Sequence, residues 1–199
     1  MDLKETGVDT FVLSGHKFGA PKGIGALYVR KGLRVPPLLY GGGQERGLRA
    51  GTENVPYIAG LGMAAKKSFE DREKKNRVLE EIKAALMENL EKEKVTFLIN
   101  GDLEHCAPHI LNLRFPGIKG EVLLHYLEGQ GIYVSQGSAC HNNGKKSSET
   151  LTALGLDGDE RDASIRFSFG EEIKAEEMAN VAKAVSDGIQ MIKKMRGKK

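Results

Sequence analysis

Cysteine is nearly missing from this chain: 199 residues hold two, Cys106 and Cys140. Two are too few for a disulfide framework, and a reducing compartment keeps both as thiols. Paired metal-ligand spacing is missing as well. Cys106-x-x-His109 and Cys140-His141 do not repeat the two-by-two pattern of a structural zinc site, so no resident metal is expected. No apolar run approaches the ~18 residues of a membrane span, and the N-terminus has no signal-peptide pattern. A cytoplasmic protein without membrane contact is therefore expected. Charge of one sign does not dominate either. The formal net charge is +3, and the basic residues are spread out except at Lys193, Lys194, Arg196, Lys198 and Lys199. That tail reads as a solvated helix end rather than a nucleic-acid patch. The glycines 41 to 43 are not followed by G-x-x-x-x-G-K-[ST], which argues against a nucleotide-phosphate loop. Internal repeats and low-complexity linkers are also lacking.

What remains is an ordinary globular composition, 40% hydrophobic and 29% charged. Residues 1 to 55 read as strand, loop, strand and glycine-rich loop, and Pro56 marks a change to helix. Leu79, Ile82, Leu86 and Leu90 share one face of a helical stretch that runs from Leu61 to about Glu93. Strands are expected at about Val95 to Ile99, Ile110 to Phe115, Ile132 to Ser135 and Ser164 to Phe169. A short helix from Gly120 to Glu128 is expected to end on a left-handed Gly129, and another at Thr150 to Leu154. The last element is an amphipathic helix with Met178, Val181, Val185, Ile189 and Ile192 on one side. Alternating strands and helices argue for an α/β chain. Too few strands precede residue 56 to build a complete sheet, so further strands are expected to come from outside this sequence.

Three places concentrate chemistry. The apolar run Asp9 to Leu13 leads straight into Ser14-Gly15-His16-Lys17, and Gly19, Pro21, Gly23 and Gly25 punctuate the residues after it. Lys17 thus sits in a tight connection where backbone can approach an anion and an amine can form a Schiff base. Arg166 lies in the alternating run Ile165 to Phe169, on the face opposite both phenylalanines. A guanidinium there can grip a carboxylate with two parallel hydrogen bonds. Cys140 occupies a polar loop, 135 to 149, with His141, Lys145 and Lys146 near it to favour a thiolate, whereas Cys106, before Ala107-Pro108, is expected to pack inside.

SGHKFGAPKGIGALYVRKG at 14 to 32 resembles the pyridoxal-phosphate segment of the cysteine desulfurases, a branch of the class V aminotransferase-like family. GGGQERGLRAGTENV at 41 to 55, NGDLEH at 100 to 105, ILNLRF at 110 to 115, SQGSAC at 135 to 140 and SIRFSFG at 164 to 170 are similar to family segments in family order. The resemblance implies fold type I, with residues 1–60 as the end of the large cofactor domain and 61–199 as the small C-terminal α+β domain. It implies pyridoxal 5'-phosphate carried on Lys17, with Ser14, Gly15 and His16 on the phosphate side. Thr52 would reach the cofactor phosphate of a neighbouring subunit in a homodimer. Arg166 would anchor the carboxylate of L-cysteine, and Cys140 would take its sulfur as a persulfide, leaving alanine. The sulfur would pass to an iron-sulfur scaffold or sulfur-carrier protein, with a transient iron-sulfur contact at Cys140 as the one metal contact kept open. His105 is a weaker candidate.

The match covers essentially this whole chain but only about the second half of a family member. The family's ring-stacking aromatic and the acidic partner of its pyridine nitrogen are not identified in these residues. His109 stands where many relatives carry asparagine. Two further readings stay open: an inactive fragment or a docking or complementing subunit, and a selenocysteine lyase.

Overall fold

A computed structural model of the chain describes residues 3, 5–136 and 148–196. The chain divides into two compact units, Met1–Glu73 and Lys74–Lys199.

In the first unit, strands β1 (Thr10–Ser14) and β2 (Gly25–Val29) pair antiparallel, with Thr10 opposite Val29 and Ser14 opposite Gly25. Beyond β2, the Arg30 N–H donates to the Asp9 carbonyl at 2.8 Å and its Nε to the Asp9 carboxylate at 2.7 Å, which closes the open end of the ribbon. At the other end the chain tightens into a 3-10 turn, Gly15–Phe18, stopped by Gly19 at φ 90. Helix α1 (Val55–Glu70) begins with Pro56 in its first turn, where the missing N–H has no intrahelical partner to lose. Before it, the glycine-rich loop turns through Gln44–Gly47. There Glu45 (φ 48) and Arg46 (φ 58) are both left-handed, a conformation that costs non-glycine residues on the order of 1 kcal/mol each. Two side chains brace that turn: Gln44 Oε1 accepts the Gly51 N–H at 3.3 Å, and Glu53 Oε1 accepts the Glu45 N–H at 3.4 Å.

The helical stretch read from Leu61 to Glu93 is two helices. α1 stops at Asp71, a weak helix former in the bridge conformation (φ −90, ψ −1), and α2 (Arg72–Lys92) begins at the next residue.

The second unit is built on an antiparallel sheet in the order β3 (Leu98–Ile99), β4 (Ile110–Arg114), β5 (Ser164–Ser168). The two-residue period of β4 and β5 sends Leu111, Leu113, Ile165 and Phe167 to one face, in register Leu111 with Phe167 and Leu113 with Ile165. They join one buried cluster with Ile82, Leu86 and Leu90 of α2 and with Leu123 and Leu127 of α3 (Gly120–Glu128). Two short helices, α4 (Glu149–Ala153) and α5 (Gly158–Asp162), precede β5, the second entered through a capping box between Asp157 and Glu160. Met178, Ala182, Val185, Ile189 and Ile192 of α6 (Met178–Arg196) complete the buried cluster. Each such large side chain contributes roughly 1.5–3 kcal/mol by leaving water.

Three expectations need correction. Gly129 is right-handed (φ −63); the left-handed residue is Gly131 (φ 77), where Ile132 N–H reaches back to the Leu127 carbonyl at 2.9 Å and closes a Schellman cap. Residues 132 to 135 form no strand beyond a single bridge of Ser135 with Arg166, because the cap consumes the Ile132 N–H. Of the expected Val95 to Ile99 strand only Leu98 and Ile99 pair, since Val95 N–H is taken by the Leu90 carbonyl at the end of α2. Among the described residues no helix is long and apolar enough to cross a membrane.

Candidate active site

The first group of site residues rides on the turn that ends β1. Gly15 is buried there, and its lack of a side chain is required. A Cβ would stand 2.8 Å from the Ile24 carbonyl oxygen and 2.9 Å from Leu61 Cδ1 of α1. The Gly15 N–H donates to that Ile24 carbonyl, and its own carbonyl accepts the Ala20 N–H, both at 3.0 Å. The turn is thereby fixed by backbone, while Ser14, His16 and Lys17 stay exposed. Ser14 caps the turn without a side-chain hydrogen bond, so its hydroxyl is not engaged there. Thr52 is also exposed and lies just before α1, and among the described residues its side chain makes no hydrogen bond with the Lys17 turn.

The second group belongs to the other unit. Arg166 is half-buried on β5, on the sheet face opposite the core. Its Nε is buried and lacks a hydrogen-bond partner among the described residues. Asn112 stands opposite it on β4, and Ser135 is its bridge partner on the other side. Asn100 Nδ2 donates to Asn112 Oδ1 at 2.7 Å and to Ser164 Oγ at 2.8 Å, and the Ser164 hydroxyl donates on to the Glu160 carbonyl at 2.7 Å. Arg114 pairs with the Glu160 carboxylate on the same face. Reading residue by residue singled out Arg166 but missed Asn112 and Asn100. The alternation Leu111-Asn112-Leu113-Arg114 carries the same period-two signal that singled out Arg166 in the next strand.

Cys140 and the loop residues from 137 to 147 lie outside the described residues. Cys106 does not pack inside. It is exposed, and its sulfur accepts from the buried Lys83 Nζ at 3.0 Å. Lys83 also donates to the Ala107 carbonyl at 3.2 Å, so the buried amine holds the turn at the surface. His105 is exposed with its Nδ1 2.5 Å from Asp102 Oδ2. The His105 ring, with the Glu104 N–H, holds the Asp102 carboxyl below the usual carboxylate range. Among the described residues no three His, Cys, Asp or Glu side chains gather as a metal site.

An exposed lysine on a backbone-locked turn, and an arginine whose Nε has no partner among the described residues, accompany an α/β fold of the fold type I class. A solved NifS-like protein shares it with a TM-score of 0.82 at 34% identity, over 96% of this chain and 49% of that one. The chain belongs to the aminotransferase class-V family, whose model matches residues 1–181. It is similar to cysteine desulfurase IscS of Methanosarcina thermophila, 42% identical over 195 residues, which is 98% of this chain and 48% of the relative. It is also similar to a solved structure of SspA in complex with cysteine, 30% identical with a TM-score of 0.61, over 85% of this chain and 46% of that one. The chain spans about half the length of the curated relatives it matches.

Proposed function

We propose that this chain is the part of a cysteine desulfurase that carries the cofactor lysine, the substrate-anchoring arginine and the sulfur-accepting cysteine. Residues 1–60 are then the end of the large domain and 61–199 the small domain. The observation that carries the proposal is the Lys17 turn. An exposed primary amine, and a serine hydroxyl that makes no capping hydrogen bond among the described residues, flank a turn that Gly15 locks, the chemistry that suits an aldehyde bearing a phosphate. That donor set fits pyridoxal 5'-phosphate, with the amine of Lys17 for the aldehyde, and Ser14, His16 and the Gly15 backbone on the phosphate side. When bound, the cofactor supplies an electron sink for bonds breaking at the amino-acid substrate.

The protein's own groups do the rest. Arg166 holds the α-carboxylate of L-cysteine with its two-pronged guanidinium. The Lys17 amine moves protons at the substrate carbon. The Cys140 thiolate attacks the substrate sulfur, the carbon–sulfur bond breaks, and the products are alanine and a persulfide on Cys140. A sulfur carrier or iron-sulfur scaffold would collect that sulfur, in the cytoplasm, with Thr52 serving a neighbouring subunit of a homodimer.

A second reading is supported by the hairpin. Val12 and Leu27, opposite each other in register, are 73% and 54% exposed. Such a surface suits a chain that completes its fold with a further polypeptide.

Incubation with pyridoxal phosphate, borohydride trapping and mass-spectrometric mapping test the proposal. Labelling confined to Lys17 and abolished by Lys17→Ala is expected. Labelling scattered over surface lysines would refute a cofactor site in this chain and favour the second reading.

A further inference from the structure

Four polar residues line up across the sheet of the second unit. Asn100 N–H donates to the Asn112 carbonyl at 2.9 Å, one step beyond the paired residues of β3 and β4. Asn112 stands opposite Arg166, and Arg166 opposite Ser135. Directly opposed residues of neighbouring strands project from the same face. The row Asn100, Asn112, Arg166, Ser135 therefore shares the face turned away from Leu111, Leu113, Ile165 and Phe167, and all four residues are half-buried.

The hydrogen bonds give this row a direction. Asn100 spends its Nδ2 on Asn112 Oδ1 and Ser164 Oγ. That consumes the acceptor end of the Asn112 side chain, leaving its Nδ2, which donates to no described residue. Arg166 Nε–H is buried without an acceptor among the described residues. The one carboxylate paired on this face among the described residues, Glu160, is engaged by Arg114. Between Asn112 and Arg166 the face thus offers N–H donors and a positive charge, the chemistry that receives a carboxylate.

We propose that Asn112 is a second carboxylate-binding residue beside Arg166, and that Asn100 is the residue that positions it. The proposal rests on the reading of Arg166 as the substrate anchor. It adds that selectivity for an α-carboxylate over the bare amine is shared by two side chains of neighbouring strands.

The test compares binding of L-cysteine with that of cysteamine, which lacks the carboxylate, by calorimetry on the full chain loaded with pyridoxal phosphate. Asn112→Asp keeps an acceptor for Asn100 and places its own carboxylate against Arg166. It is expected to reduce L-cysteine affinity about tenfold or more, to leave cysteamine unchanged and to keep the melting temperature. Asn112→Ala is expected to lose a similar factor. Asn100→Ala, acting through Asn112, is expected to lower the L-cysteine to cysteamine ratio by a smaller factor; a purely structural role would lower the melting temperature and leave that ratio alone. If Arg166→Ala weakens L-cysteine but both Asn112 variants stay within about twofold of wild type, the Asn112 proposal is overturned and the Arg166 reading stands. If wild type shows no preference for L-cysteine, or Arg166→Ala does not weaken it, the Arg166 reading itself fails and takes this proposal with it.

Discussion

Arg166 and Ser135 exchange two backbone hydrogen bonds, the Arg166 N–H to the Ser135 carbonyl at 2.7 Å and the Ser135 N–H to the Arg166 carbonyl at 3.1 Å. The residue proposed to hold substrate is thus tied to the start of the segment that leads to Cys140. The tie is made by main chain, so it does not depend on which side chain stands at 166.

A substitution at 166 should consequently separate binding from folding. Arg166→Lys keeps the charge but loses the fork, and Arg166→Ala loses both. Either is expected to weaken L-cysteine binding at least about tenfold, in line with the ~1.5–3 kcal/mol of a hydrogen bond to a charged group. Urea denaturation should show little change in midpoint; a large loss of stability would mean that the side chain is structural.

Gly15→Ala should disturb the Lys17 turn from beneath. The new methyl would meet the Ile24 carbonyl oxygen at 2.8 Å and Leu61 at 2.9 Å, and the backbone oxygen has little room to yield. A cost of about 1–3 kcal/mol is expected, together with reduced labelling of Lys17. Adding Leu61→Ala should restore only part of the loss, because the carbonyl contact remains. Full restoration in denaturant titrations would show that Leu61 alone sets the fit.

In the sheet of the second unit, Ile165 and Leu113 face each other and neither is accessible to solvent. Ile165→Ala is expected to cost about 2–5 kcal/mol. Its neighbour Arg166 would then lose orientation only through the destabilised strand, so ligand binding measured well below the melting temperature should change less than stability. The reverse order would contradict the separation of the two sheet faces.

Asp102 gives a pH prediction. Its carboxyl is held below the ordinary value by the His105 ring and the Glu104 N–H. Because the folded pKa lies below the unfolded one, the associated stability is present above the unfolded value of ~3.9 and fades as pH falls through the folded pKa. Carbon-13 NMR of the carboxyl should give a midpoint below that value, and His105→Ala should raise it. A midpoint unchanged by His105→Ala would show that the histidine is not the cause.

Much of the fold was legible from local pattern. The limits of α3 at Gly120 and Glu128, the buried stripe Leu79, Ile82, Leu86 and Leu90, and the alternation of β5 arise from periods of 3.6 and 2, which need only neighbours in sequence. The cap of α3 did not, because either Gly129 or Gly131 can be left-handed. The choice falls where Ile132 N–H can reach Leu127. Cys106 was misread for a related reason. Its position is set by Lys83, 23 residues away on α2, and no local pattern displays that contact.

Sequence alone marked the turn that carries Lys17, since a short apolar strand followed by closely spaced glycines makes a turn by its own torsional preferences. It also marked Arg166, by alternation within one strand. Only the tertiary structure decided that Asn112 stands opposite Arg166 with Asn100 on its other side, and that Asn100 is joined to Ser164 across 64 residues. Register between strands distant in sequence is set by which apolar faces pack together, and the polar partners on the opposite face are placed by that packing.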